Sequence, residues 1–229
     1  MNNPIKNLTR NEWILWLGSL IIITISNIIS GDFNLLTLIT TWIGITALIF
    51  AAKGNVWAQI LIIVFSILYG IISWQFRYWG EMITYLGMTM PMAIFALISW
   101  LRNPYNGNKS EVRVNNISKK ENFGMWVGTF VITMLFYFIL EYCNTANIIL
   151  STISVTTSFP AVYFTFRRSP YFALAYAAND IVLIILWILA SLYDIKYLSV
   201  VVCFVAFLFN DIYGFVSWCK MKERQMKGL

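Results

Sequence analysis

The 229-residue sequence contains no histidine. That removes the commonest metal ligand, the commonest general base and the usual proton relay at neutral pH. The three cysteines, Cys143, Cys203 and Cys219, form no close-spaced pair, so neither a zinc-type cluster nor a disulfide framework is expected. No G-x-x-x-x-G-K-[ST] loop occurs, which excludes a P-loop ATP motor within the chain. No metal or cofactor is expected, and no His-based dyad that would make the chain an enzyme; an Asp pair within the apolar helices could resemble an aspartyl protease, but N-D-I lacks the glycine-flanked motif. Charge is scarce too: Asp, Glu, Lys and Arg make up 11% of the residues, against about 25% in a soluble domain. Such a chain cannot cover itself with a charged surface. Its first apolar run is too long for the core of a secretory signal and lacks a small-residue cleavage site.

Apolar residues supply 59% of the chain. They fall into eight runs, at 13–30, 33–52, 56–74, 79–101, 123–142, 146–166, 170–190 and 196–218. Each is near the length a helix needs to cross a bilayer, and none alternates as a barrel strand would. The expected fold is therefore an all-α integral membrane protein with eight transmembrane helices. With the N-terminus inside, fourteen of the 16 Lys and Arg sort to the cytoplasmic side, leaving only Arg77 and Lys196 outside. That asymmetry predicts a multi-pass protein of the cell membrane with both termini cytoplasmic. The polar stretch Arg102–Asn122 is expected to be a cytoplasmic loop with a short interfacial piece around Val112–Ile117. Its cations suit anionic lipid, and nucleic acid is not an expected partner.

The sequence also repeats itself. Lys53–Trp57 overlays Arg167–Tyr171 at an offset of 114, Trp74 overlays Trp187 at 113, and Tyr85-Leu86 overlays Tyr197-Leu198 at 112. MAIFALISW, ending at Trp100, overlays NDIYGFVSW, ending at Trp218, at 118. Spans 2–4 thus repeat as spans 6–8, with span 5 between them. One intervening span restores the orientation, so the halves are expected to be parallel repeats about an axis along the membrane normal. The expected organisation is an extra N-terminal helix (1–31), a first three-helix bundle (32–101), a cytoplasmic loop and linker helix (102–145), and a second three-helix bundle with a basic tail (146–229).

This 3+1+3 layout, the segment WGEMITY (Trp79–Tyr85), the run PMAIFALISWLRNP that ends the fourth span, and Asn210-Asp211-Ile212-Tyr213 followed by GFVSW resemble the PnuC family of bacterial vitamin transporters. The resemblance covers about 33–218. It implies a full-length relative of the SWEET sugar transporters, with the first span as the extra N-terminal helix some members carry. The implied activity is facilitated diffusion of a non-phosphorylated, nucleoside-like vitamin, trapped inside by a kinase that need not touch the transporter. Nicotinamide riboside is the type substrate; relatives take thiamine, riboflavin or deoxynucleosides. A homotrimer also falls within the resemblance. An H⁺- or Na⁺-coupled transporter with Asp180 as the ion site stands as the alternative.

The candidate substrate residues start from two Asn-Asp pairs in apolar helices, Asn179-Asp180 and Asn210-Asp211. Polar groups at bilayer depth are expensive, and face a bundle interior or a watery cavity. Tyr176, Asn179, Asp180, Leu183 and Trp187 share one helical face, as do Asn210, Tyr213 and Ser217. Gln59 and Ser66 on the third span, Tyr85 and Thr89 on the fourth, and Trp42 on the second complete the candidate set. Aromatic faces suit a base, and amides and hydroxyls suit a carboxamide and a ribose. Competing readings stand beside these: the asparagines as glue between helices, Trp187 as an interface anchor, and Pro91 and Pro160 as hinges or static kinks. Trp13, Trp16, Trp100, Trp126 and Trp218, near span ends, are expected in the interface belts.

Overall fold

The computed structural model describes residues 4–30, 33–75, 78–145 and 147–228. The outer cation Arg77 and the expected boundary at residue 31 lie outside these residues. Among the described residues, eight helical spans are long and apolar enough to cross a membrane. They are α1 (Arg10–Ile29), α2 (Leu35–Ala52), α3 (Trp57–Gln75), a fourth span broken into α4 (Trp79–Thr84) and α5 (Met90–Arg102), α6 (Lys119–Tyr142), α7 (Ile148–Phe166), α8 (Tyr171–Ser191) and α9 (Leu198–Lys227).

Local chemistry fixes several starts. Thr9 and Glu12 form a reciprocal capping box on α1. Asn34 accepts from the Thr37 amide at the start of α2, and Ser118 from the Glu121 amide at the start of α6. In the fourth span, Tyr85–Thr89 forms a π turn in which the Met90 amide bonds the Tyr85 carbonyl. Pro91 follows at once. It has no amide hydrogen and its ring crowds the carbonyl four residues back, so the widened turn accommodates it.

Six helical elements pack neighbour on neighbour in a closed ring: α2 on α3, α3 on α5, α5 on α7, α7 on α8, α8 on α9, and α9 back on α2. α1 packs outside the ring against α2 and α9, and α6 against α7. At one end of the ring lie the α2–α3 and α7–α8 turns and the basic tail of α9. There the two turns have the same form. Gly54 (φ 63°) and Arg168 (φ 57°) both adopt the left-handed conformation. The Asn55 amide returns to the Phe50 carbonyl as the Ser169 amide does to Phe164. Glycine takes this conformation without steric cost; an arginine there is uncommon.

Trp100 and Trp218 are fully buried at this basic end instead of sitting in interface belts. Trp218 Nε1 donates to the Ala51 carbonyl at 2.7 Å, and Trp100 Nε1 to the Thr165 carbonyl at 2.9 Å. Ser217 and Ser99 do the same for the Ala52 and Phe166 carbonyls. Helix C-termini leave carbonyls without intrahelical partners, and these four side chains satisfy them across the α2–α9 and α5–α7 contacts.

The segment expected to hold an interfacial piece instead forms a short hairpin, Pro104–Tyr105 with Asn108–Val112, and an extended run that straps the basic end. Val112, expected at the lipid interface, is wholly buried against protein. Its amide bonds the Gly54 carbonyl, and the Asn115 amide bonds the Arg168 carbonyl, both at 2.9 Å. Gln225 of α9 accepts from the Val114 amide and donates to the Val112 carbonyl.

Candidate functional site

The answer to the paired Asn-Asp segments lies between α8 and α9. Asp180 and Asp211 are both buried, and their carboxyl groups lie within hydrogen-bonding reach of each other. Tyr176 sits beside both, and Tyr85 comes across from the π turn to the Asp180 side. Further from the basic end, the ring interior becomes an aromatic enclosure. Tyr69 and Tyr85 have ring centroids 4.5 Å apart, and Phe65 stacks on Tyr69 at 5.5 Å. Trp187, which is 1% exposed, packs against Tyr78 at 4.7 Å and Tyr197 at 5.7 Å. Tyr78 lies between the spans, where burial beside Tyr197 and Glu81 pushes its phenol up to about 12. It is a neutral hydroxyl at physiological pH.

Several polar atoms in this region are buried without a hydrogen-bond partner: Tyr69 Oη, Ser73 Oγ, Glu81 Oε2, Asp180 Oδ2 and Trp187 Nε1. Trp187 Nε1 lies beside the Tyr69 hydroxyl, short of good hydrogen-bond geometry. Most buried polar groups in folded proteins are paired, so a concentration of unpaired ones marks a place where something else supplies partners. Two cavities elsewhere carry no such marks. One, of about 690 Å³, is a groove among α6, α7, α8 and the 115–119 strap. The other, of about 260 Å³, lies by Lys53, Glu111 and Arg224. Neither touches Asp180 or Trp187. The residues of the polar centre are buried by their own neighbours, Asp180 at 3% and Asp211 at 4% exposed.

The structure separates the candidate residues into groups. Asp180, Tyr176, Tyr85 and Trp187 converge on the centre. Gln59, Ser66 and Thr89 are buried, Gln59 near the basic start of α3, and Ser66 bonds its own helix at Ile62. Asn179 turns to α7, where its Oδ1 accepts from the hydroxyls of Ser154, Thr157 and Ser158 at 3.2, 2.8 and 3.0 Å. Asn210 turns the other way, donating to Ser19 of α1 and to the Ala206 carbonyl, with Oδ1 unpaired. Tyr213 donates to Glu12 of α1, which also pairs with Lys53. Trp42 is 42% exposed and donates to Thr24, also of α1. Asn179 and Asn210 therefore do not face one cavity. Asn179→Leu is expected to remove an acceptor from three hydroxyls and destabilise the fold by about 1–3 kcal/mol. A lower melting temperature in detergent with unchanged ligand affinity is the expected result; weaker ligand binding at full stability would place Asn179 at the substrate.

Tyr69, Tyr78, Tyr197 and Glu81 were not among the sequence candidates. Glu81 carried a usable signal: a carboxyl group two residues into an apolar run is subject to the rule that singled out Asp180.

A ring of spanning helices around a buried polar and aromatic centre is the build of an integral membrane protein, and its family makes the class a transporter. The profile of the family described as nicotinamide mononucleotide transporter matches residues 34–220. The chain belongs to that family, which is the PnuC family its motifs resemble. It is similar to the nicotinamide riboside transporter PnuC of Haemophilus influenzae, at 23% identity over 212 residues, covering 92% of this chain and 91% of the relative. It is likewise similar to the nicotinamide riboside transporter PnuC of Neisseria mucosa, at 24% identity over 186 residues, 79% of this chain and 70% of the relative. A crystal structure of the vitamin B3 transporter PnuC superposes with a TM-score of 0.84 at 22% identity, covering 96% of this chain and 94% of that one, and shares its fold.

Proposed function

We propose that the chain carries nicotinamide riboside across the cell membrane by facilitated diffusion, with an intracellular kinase retaining the product. The observation that carries this reading is the chemistry of the closed centre: aromatic faces for the base, unpaired polar atoms for carboxamide and ribose, and the Asp180–Asp211 pair. The same centre argues for the riboside over the mononucleotide named in the family description. A phosphate needs cations, whereas the buried charged groups described at the centre are the carboxyls of Asp180, Asp211 and Glu81. Buried carboxyl groups would repel a phosphate.

Alternating access is supported by the paired features of the two halves. The turn at Gly54 matches that at Arg168, and the Trp218 clamp matches the Trp100 clamp. They fit a 3+1+3 arrangement of parallel repeats, related to the SWEET fold, that rocks about its central contacts, with α1 added outside. The basic end faces the cytoplasm in this reading. A cysteine at Asn108 should then resist an impermeant reagent added to intact cells; labelling from outside refutes the orientation. A homotrimer belongs to the same reading. α6 packs mainly on α7 and turns Phe123, Phe130 and Phe138 outward, and the mass of the detergent complex tests it.

Purified protein in liposomes should equilibrate labelled nicotinamide riboside without ATP or an ion gradient, and should not concentrate it unless a kinase is enclosed. Uptake of nicotinamide mononucleotide but not the riboside would overturn the substrate. The Asp180–Asp211 contact favours one second reading, proton coupling, since adjacent carboxyls can hand on a proton. Accumulation driven by a pH gradient alone would establish it.

A further inference from the structure

The transport reading leaves one buried group unexplained. Glu81 sits in the first turn of α4, 3% exposed, with Oε2 unpaired. It joins no ion pair among the described residues, and the phenol groups of Tyr69, Tyr78 and Tyr85 lie near enough to feel its charge. A carboxylate in such a place is held against both its desolvation and the lack of a partner. Aromatic faces do nothing for an anion, because their faces are themselves negative. Both features favour the same missing object: a cation with a flat, weakly hydrated body, which aromatic faces attract and a carboxylate neutralises.

We infer that Glu81 is the counter-charge for a cationic aromatic ring and makes the site select ring-charged substrates over neutral ones. The inference rests on the nicotinamide riboside reading and narrows it. Nicotinamide riboside carries a pyridinium. Its 1,4-dihydro form keeps the carboxamide and the ribose but has a neutral ring. A site that reads only hydrogen bonds treats the two alike; one built around Glu81 does not. The assignment also separates this chain from carriers of neutral deoxynucleosides or riboflavin, which offer no positive ring to answer Glu81. Asp180 is the other central carboxyl, but it shares its place with a second acid, Asp211, which Glu81 does not.

Titration of the purified full chain in detergent with each form tests this. The wild type should bind the oxidised form roughly tenfold or more tighter than the dihydro form. Glu81→Gln, nearly isosteric, should bring the two affinities close together, chiefly by weakening the oxidised form, with the melting temperature held. Glu81→Asp, which keeps the charge, should retain a preference, and it serves if the glutamine variant does not fold. Equal binding of both forms by the wild type overturns the inference and leaves the transport reading standing. Binding of neither form sinks the transport reading itself. A preference that survives Glu81→Gln but disappears in Asp180→Asn moves the counter-charge to Asp180 and overturns the inference.

Discussion

The Trp187→Ala variant is expected to lose nicotinamide riboside affinity by about 5- to 150-fold. Stacking of a base on an aromatic side chain is worth about 1–3 kcal/mol by alanine substitution, which is that range in the binding constant. Trp187 is the large flat face in the centre whose polar atom has no partner. Its neighbours Tyr78 and Tyr197 both meet the ring tilted, at 55° and 50°, so neither stacks flat on the indole where a base would lie. The truncation also opens a cavity, and a buried Trp→Ala change costs about 3–5 kcal/mol in stability. Trp187→Phe separates the two effects. It keeps a stacking face and most of the volume but removes Nε1–H, so stability should recover more than affinity does. A Trp187→Ala protein that binds the riboside normally at a lowered melting temperature would make Trp187 a packing residue and leave Tyr69 and Tyr85 as the base platform.

The second large effect is expected at the opposite end. Trp218→Ala should lower stability by about 3–5 kcal/mol, a large share of the roughly 5–15 kcal/mol that holds a typical domain. Trp218 is fully buried, packs on Phe172 at 5.0 Å and Trp100 at 5.5 Å, and caps the Ala51 carbonyl. Trp218→Phe keeps much of the packing and removes one of two hydrogen bonds to that carbonyl, which the Gly54 amide still bonds at 2.8 Å, so it should cost only about 0.5–1.5 kcal/mol through that bond. Trp100→Ala should behave as Trp218→Ala does, because Trp100 holds Thr165 in the same way. Thermal unfolding in detergent reads all three. Near wild-type melting for both alanine variants would mean that the two clamps do not hold the halves together.

Eight spans were legible in the sequence because bilayer crossing demands uninterrupted apolar length, and composition records that demand directly. What was not legible arises where local and tertiary constraints meet. The π turn depends on Pro91 being placed after Tyr85–Thr89, and apolar runs do not report backbone pitch. The hairpin and the strap around Val112 exist because helix-end carbonyls and Gln225 wait beneath them. α9 runs past the expected end at 218 to Lys227 because its polar continuation docks under that strap.

At the site, helical spacing sorted residues onto faces but could not say which neighbour each face meets. Asp180, Tyr176 and Trp187 were placed on one face of α8, and they do reach the centre. Asn179, on the edge of that face, meets the hydroxyls of α7. Asn210 and Tyr213 share a face on α9, but α1 packs there, and a helix outside the repeat leaves no trace in the repeat pattern. Trp42, part of the candidate set, is 42% exposed and bonds Thr24 of α1. Glu81 was not singled out because it lies near the start of its span, where a carboxyl is usually solvated; at 3% exposure it is buried instead.

The most direct test of the transport site is an experimental structure of the chain with nicotinamide riboside bound. The base should lie within the ring against Trp187, Tyr69 or Tyr85, on the α8–α9 side that carries Asp180. Density for the ligand in the groove among α6, α7 and α8, with the ring centre still packed shut, would contradict it.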